Sequence, residues 1–336
     1  MAQLQAHLPR IGRLALALGA GAVAALLFVA MAKGTMLALA LAYLAPLPIF
    51  IAGLSWGADM GALAAIAASS VVAAVIDPLS GALFGASIAL PAWVLSALSI
   101  TRLRLFGQAK DGGAKTAAMA PIGYVVSAAA LIGILIGLGA LISLVVLYGG
   151  YQKGVDALVA QVTPDIREAL DQAISLPEGM TIEEFATLFV RLSPLALAAA
   201  TFFMLCANLY LGARVAQVSQ SLKRPWPNLP ESLILPQALS VALVLSLVLA
   251  LTLRDPTRQA AWVGVGALAA AFGLQGLALA HALTRGLSFR IPLLFAIYVT
   301  CILLPRWALP VVAFTGVLES FLSLRARRVA AANVKL

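Results

Sequence analysis

Few residues in this chain are of a type that does chemistry. It holds two histidines, His7 and His281, and two cysteines, Cys206 and Cys301. A structural zinc site takes four nitrogen, sulfur or oxygen ligands in a tetrahedron, and no such group is spaced to supply one. The cysteines lie far apart inside apolar runs and have no C-x-x-C partner, so they read as small buried hydrophobes rather than a disulfide or a metal pair. The chain has no P-loop pattern, no G-x-G-x-x-G following a strand and no G-x-S-x-G turn. Neither a catalytic constellation nor a metal or cofactor is implied. Any energy coupling must come from an ion gradient or a partner.

What remains is a handful of polar side chains inside apolar runs, where they are costly and therefore candidate sites. Asn208 lies in Cys206-Ala207-Asn208-Leu209-Tyr210, Gln275 and His281 in one later run, and Glu319 in Leu318-Glu319-Ser320 near the end. Gln275 and His281, six residues apart, fall on different faces of a helix. Arg325 and Arg328 are within helical reach of Glu319, which fits an interfacial ion pair. Asn208, Gln237 and Gln275 fit hydrogen bonds between helices, worth about 0.6 kcal/mol each in membranes. The competing reading gives Asn208, Gln275, His281 and Glu319 contact with a ligand.

The elements that must position these residues follow from composition. Of 336 residues, 62% are hydrophobic and 10% charged, against about 25% charged in a soluble domain. Mean hydropathy is +1.03. These values exclude a soluble enzyme and a disordered or fibrous chain. Apolar runs of about 20 residues fit membrane helices, not the alternating ~10-residue segments of a barrel. The formal charge of +9 reads as basic loops at a membrane and not as nucleic-acid binding.

The expected fold is all-α, a polytopic helical membrane protein with nine or ten spans in one integral membrane domain. The candidates are 11–32, 35–55, 58–76, 79–100, 120–149, 193–213, 232–253, 260–284, 289–304 and 307–324. Pro46, Pro48 and Pro91 should kink their helices, and 289–304 is short enough to be tilted or re-entrant. Asp77-Pro78 reads as a cap for the fourth span. Starting from a cytoplasmic N-terminus, most of the 22 Lys and Arg fall in cytoplasmic loops, including Arg10 and Arg13, Arg102 to Lys115, Arg214 to Arg224, Arg285 and Arg290, and Arg325 to Lys335. Acids gather on the other side. The positive-inside rule therefore places both ends in the cytoplasm. Arg10, Arg13, the apolar stretch 14–29 and Ala30-Met31-Ala32 also resemble a cleavable signal, but the stretch is long and another span follows at once. An uncleaved first helix is the expectation.

One loop, 150–191, is long enough to fold. Thr163-Pro164-Asp165 reads as an N-cap with proline at the first helical position, and Ile166, Ala169, Leu170, Ala173 and Ile174 form a stripe after it. Leu176-Pro177-Glu178-Gly179 should stop that helix. Thr181-Ile182-Glu183-Glu184 is a capping box that starts another. Two short amphipathic extracytoplasmic helices are expected, either a structural crosspiece or a lid over an outward cavity. In the first span, Ala17, Gly21 and Ala25 recur every four residues, a face for internal helix packing or for docking a partner.

Several stretches resemble the YybS-like family of bacterial multi-spanning membrane proteins of unknown function. They are Leu83-Phe84-Gly85-Ala86 with Pro91, Asn208-Leu209-Tyr210-Leu211, Gln275-Gly276-Leu277-Ala278 before His281, and Gly316-Val317-Leu318-Glu319-Ser320 followed by Arg325. That family is in turn similar to the substrate-binding S components of energy-coupling-factor transporters, which dock on a partner through small residues of the first helix. The resemblance implies a multi-pass protein of the bacterial cytoplasmic (inner) membrane, surrounded by lipid, with an energy-coupling transport module as partner. Three readings follow. The chain is a substrate-capturing subunit of a small-molecule transporter, or a scaffold for other inner-membrane proteins, or an intramembrane enzyme acting on lipid through Glu319 and His281. A cavity lined by Asn208, Gln275 and His281 would favour the first.

Overall fold

The computed structural model describes residues 10–103, 118–173, 179–222 and 225–333. His7, Arg104, Lys110, Lys115, Ile174, Leu176, Pro177, Glu178, Lys223, Arg224 and Lys335, used above, lie outside them. The described chain is helical apart from a two-residue antiparallel pairing, Arg102↔Met119 and Leu103↔Ala118.

Proline and capping residues cut the first hundred residues into pieces. Helix α1 (Arg10–Val29) ends in a tight turn over Ala30–Lys33. Thr35 then caps α2 (Met36–Tyr43) by accepting a 3.1 Å bond from the Ala38 N–H. A break before Pro46 separates α2 from α3 (Leu47–Trp56), and α4 spans Ala58–Val75. Asp77 caps α5 (Pro78–Phe84), its carboxylate accepting from the Ser80 N–H and hydroxyl. A wide π turn over Gly85–Ala89 leads into α6 (Leu90–Ile100). Pro91 has no N–H to give the preceding turn, and the π turn takes up that missing bond. The expected spans 35–55 and 79–100 are thus each built from more than one helical segment.

The remaining helices are α7 (Ile122–Leu147), α8 (Tyr151–Ala173), α9 (Ile182–Val218), α10 (Leu229–Ser232), α11 (Gln237–Thr252), α12 (Thr257–Leu283), α13 (Arg290–Leu303), α14 (Pro305–Leu322) and α15 (Leu324–Asn333). Among the described residues, seven helical stretches are long and apolar enough to cross a membrane, where nine or ten were expected. The three that fall short are helices all the same. Those of α11 and α13 have 16 and 14 residues, and α14 carries Arg306, Pro310 and Glu319.

Two expectations for the 150–191 loop need correction. Thr163-Pro164 does not start a helix but lies inside α8. Tyr151, Val155, Leu158, Val159 and Val162 form an apolar stripe against Leu141, Leu144 and Val190. Burial of that stripe carries the helix through the proline, and the Thr163 hydroxyl bonds back to the Val159 carbonyl at 2.6 Å. The capping box at Thr181 and Glu184 is present. The helix it starts is not short, because its apolar face continues through Pro194 into the next span as the 37-residue α9.

Helix α9 joins the two halves, packing on α3, α7, α8 and α12. Small residues let these helices approach. A Cβ added at Gly21 of α1 would stand 2.6 Å from the Ala64 carbonyl oxygen and 2.7 Å from the Ala67 Cβ of α4. Ala17 and Ala25 are fully buried along the same helix. The small-residue face of α1 is therefore occupied inside the chain. At the other end, a Cβ at Gly316 of α14 would overlap the Phe272 carbonyl of α12, and one at Gly276 would overlap the Val312 carbonyl.

Two outcomes follow. Gly316→Ala should lower stability by about 1–3 kcal/mol through overpacking, while Gly273→Ala, with open space around its Cβ position, should be neutral or slightly stabilising. Thermal unfolding in mild detergent compares them, and equal effects would contradict this packing. The Asp77 carboxyl is held below its ordinary value of 3.8, first by the Ser80 hydroxyl and then by the Ser80 N–H. Its stabilising effect is complete above that value and is lost as pH falls through the lowered one. The melting-temperature gap between the native chain and Asp77→Ala should narrow from about pH 5 to about pH 2; a constant gap would count against the cap.

Candidate functional site

The four polar residues singled out above divide into two buried hydrogen-bonded arrangements and one cavity wall. Gln275 of α12 is fully buried. Its Oε1 accepts from the Leu235 N–H at 2.5 Å, and its Nε2 donates to the Gly316 carbonyl at 2.6 Å and the Ser320 hydroxyl at 3.0 Å. One side chain thus ties α12 to α14 and to the segment before α11. Gln237 Nε2 donates to the Ser320 carbonyl at 2.9 Å, closing the same junction. The chemistry here is structural, because every bond of the Gln275 amide goes to the protein's own groups.

Glu319 continues this arrangement. It is 2% exposed, and its Oε2 accepts from the Leu324 N–H at 2.8 Å across the left-handed Ser323 that ends α14. Arg325 Nε stands 3.5 Å from Glu319 Oε1. The same guanidinium donates to the Leu233 carbonyl at 2.7 Å and the Gln275 carbonyl at 3.4 Å. Burial pulls the Arg325 guanidinium below its usual range, and Glu319 opposes that shift. Arg328, expected near Glu319, instead donates to the carbonyls of Ala282 and Arg285. Arg285 in turn pairs with Glu231 and donates to Asn228 Oδ1 at 3.1 Å. The basic start of α15 therefore clamps the end of α12 and the 228–235 segment.

Asn208 is also fully buried. Its Nδ2 donates to the carbonyls of Tyr43 at 2.9 Å and Met204 at 2.8 Å, tying α9 to the end of α2. Its Oδ1 has no hydrogen-bond partner among the described residues. Turning the amide would set an oxygen against two carbonyls, so the two donor bonds fix its orientation.

Only His281, of the four, faces open space. A cavity of about 780 Å³ lies between α9, α12, α13 and the 226–230 loop. Its wall includes Tyr210, Arg214, Trp226, His281 and Tyr298. His281 Nε2 and the Tyr298 hydroxyl are 2.9 Å apart, with ring centroids at 5.9 Å. A smaller chamber of about 190 Å³ shares that histidine, tyrosine and tryptophan and reaches inward to Ile122, Val126 and Leu209. Asn208, Gln275 and Glu319 line neither chamber, and α8 contributes nothing to either wall. No group of three or more metal-ligating side chains occurs among the described residues.

Sequence reasoning did not select Tyr298, Tyr210, Arg214 or Trp226 for this wall. A signal was present in Pro225-Trp226-Pro227-Asn228-Leu229-Pro230. Three prolines restrict that loop and hold an indole against the ends of two helices.

A family model described as "Predicted membrane protein (DUF2232)" matches residues 22–320. No curated protein and no solved structure matches the chain.

Breaking the buried Glu319–Arg325 pair leaves one uncompensated charge, so Arg325→Ala should cost about 3 kcal/mol or more. Arg327→Ala, on the exposed side of the same helix, should stay within about 0.5 kcal/mol. The double variant Glu319→Gln/Arg325→Met should lose less than the two single changes together. Denaturant unfolding in one detergent of the native chain, Arg325→Ala, Arg327→Ala, Glu319→Gln, Arg325→Met and the double variant measures this, and an Arg325→Ala effect no larger than that of Arg327→Ala would refute the clamp.

Proposed function

This chain belongs to the DUF2232 family of predicted membrane proteins, and on that premise we propose that it captures a small molecule within the membrane and hands it to a partner that supplies the energy. The observation that carries the reading is the cavity of about 780 Å³. Its size falls in the usual range for small-molecule sites, about 300–1,000 Å³. The wall is largely apolar, with a few convergent polar groups that would fix orientation.

In this reading His281 and Tyr298 are contact residues, while Gln275, Glu319 and Asn208 hold the helices around them. Binding occurs without catalysis. The chain resides in the bacterial cytoplasmic membrane with both ends in the cytoplasm, as its loop charges suggest. The resemblance to YybS-like proteins, and through them to S components, belongs to the same proposal. With the small-residue face of α1 packed on α4, a coupling partner would have to use another surface. The scaffold reading lacks a comparable feature, since it gives the cavity no role.

Purification from native membranes in mild detergent, followed by mass spectrometry, tests this. A non-protein molecule should be recovered in near-equimolar amount together with a membrane coupling protein and its ATPases. Ala207→Trp, which fills the cavity wall, should lose the molecule by about tenfold or more while keeping the native melting profile. A protein that carries neither ligand nor coupling partner, or whose ligand is indifferent to Ala207→Trp, would overturn the reading.

A further inference from the structure

The two chambers differ in a way that describes their occupant. The outer one is lined by Arg214, Gln217 and Asn228, and the inner one by Ile122, Val126, Leu209 and Leu277. Trp226, His281 and Tyr298 belong to both. The space therefore runs from a polar, cationic end to an apolar end.

The polar end is rich in donors. Arg214 Nη1 gives one bond to Gln217 Oε1 at 3.0 Å, and a guanidinium has five N–H donors. Among the described lining residues of either chamber none is Asp or Glu. The nearby acid Glu231 is held by Arg285. An occupant with a cationic head would meet Arg214 and no counter-charge.

We infer that the ligand is an amphipathic anion, with a phosphate or carboxylate head on Arg214 and an apolar body directed past His281 and Tyr298 into the inner chamber. This rests on the capture reading above and specifies its ligand class. Arg is suited to such a head because its planar fork meets two oxygens at once. The head alone would leave the inner chamber unfilled, so both parts are required.

The test uses the full chain in nanodiscs of zwitterionic lipid, with decyl phosphate, decanol and inorganic phosphate as probes. Binding is read by thermal stabilisation and by tryptophan fluorescence, with Trp226→Phe marking the cavity signal. Decyl phosphate should bind at least about tenfold more tightly than either decanol or inorganic phosphate. Arg214→Gln should remove that advantage over decanol, and Arg214→Lys should restore part of it. Competition by added phosphatidylglycerol would assign a lipid headgroup as the natural source, and lack of competition a soluble amphiphile; the anionic chemistry is the same in both. Equal binding of decanol and decyl phosphate, or indifference to Arg214→Gln, would overturn the anion while leaving capture standing. Inorganic phosphate binding as tightly as decyl phosphate would overturn the apolar body. If no probe binds and Ala207→Trp leaves copurified material unchanged, the capture reading itself fails.

Discussion

In hydrocarbon, helices gain little by burying apolar side chains against one another, because lipid tails are just as apolar. Association depends instead on how closely backbones approach and on the few polar groups that find partners between them. In this chain close approaches run through glycine, among them Gly21 on α4, Gly133 on the Ala198 carbonyl of α9, and the Gly276 and Gly316 crossing of α12 and α14. Gln275 lies beside that last crossing and uses its proximity, since an amide reaches the Gly316 carbonyl only when no side chain separates the helices. Packing and hydrogen bonding there form a single constraint.

That constraint sets the cavity. With α12 fixed against α14, and the 233–235 segment held by Gln275 and Arg325, the Trp226 loop has little freedom at its far end. The wall on the α9 side is placed independently, by the Asn208 amide on α2 and by Gly212 against Phe50 of α3. Helix α13 is different. None of its residues is buried, and its bond to the bundle at the cavity is the His281–Tyr298 contact. The most loosely packed wall of the site is thus also one that contributes a contact residue.

Much of the architecture was legible because it depends on local rules. The helical membrane class follows from apolar length, the Asp77 and Thr181 caps from side chains that bond two or three residues ahead, and the breaks at Pro46 and Pro91 from a missing N–H. The α8 start was not legible, because Thr163-Pro164 carries a valid cap signal that a longer apolar stripe overrides. At the C-terminal end three expected spans fall below full crossing length or hydropathy, because α11 and α13 are short and α14 holds internal charge. For the site, sequence picked out buried polar residues but could not separate those with internal partners from those facing a void. Gln275 and His281 look alike in sequence. Three protein partners satisfy one amide, and an open wall receives the other side chain.

The partners of the Gln275 amide in α14 lie 41 and 45 residues further along the chain, and Arg325 comes later still. During synthesis the Leu235 N–H is already made when α12 enters the membrane, but neither acceptor of the Gln275 Nε2 is, and that half of the amide must wait beside lipid, or borrow a partner, until the last helices are made. The order of translation thus leaves the bundle incomplete to its end. A ribosome stalled after α13 would leave a chain with most of its apolar helices in place and its central polar junction still unmade, a species that quality-control proteases could recognise by that amide.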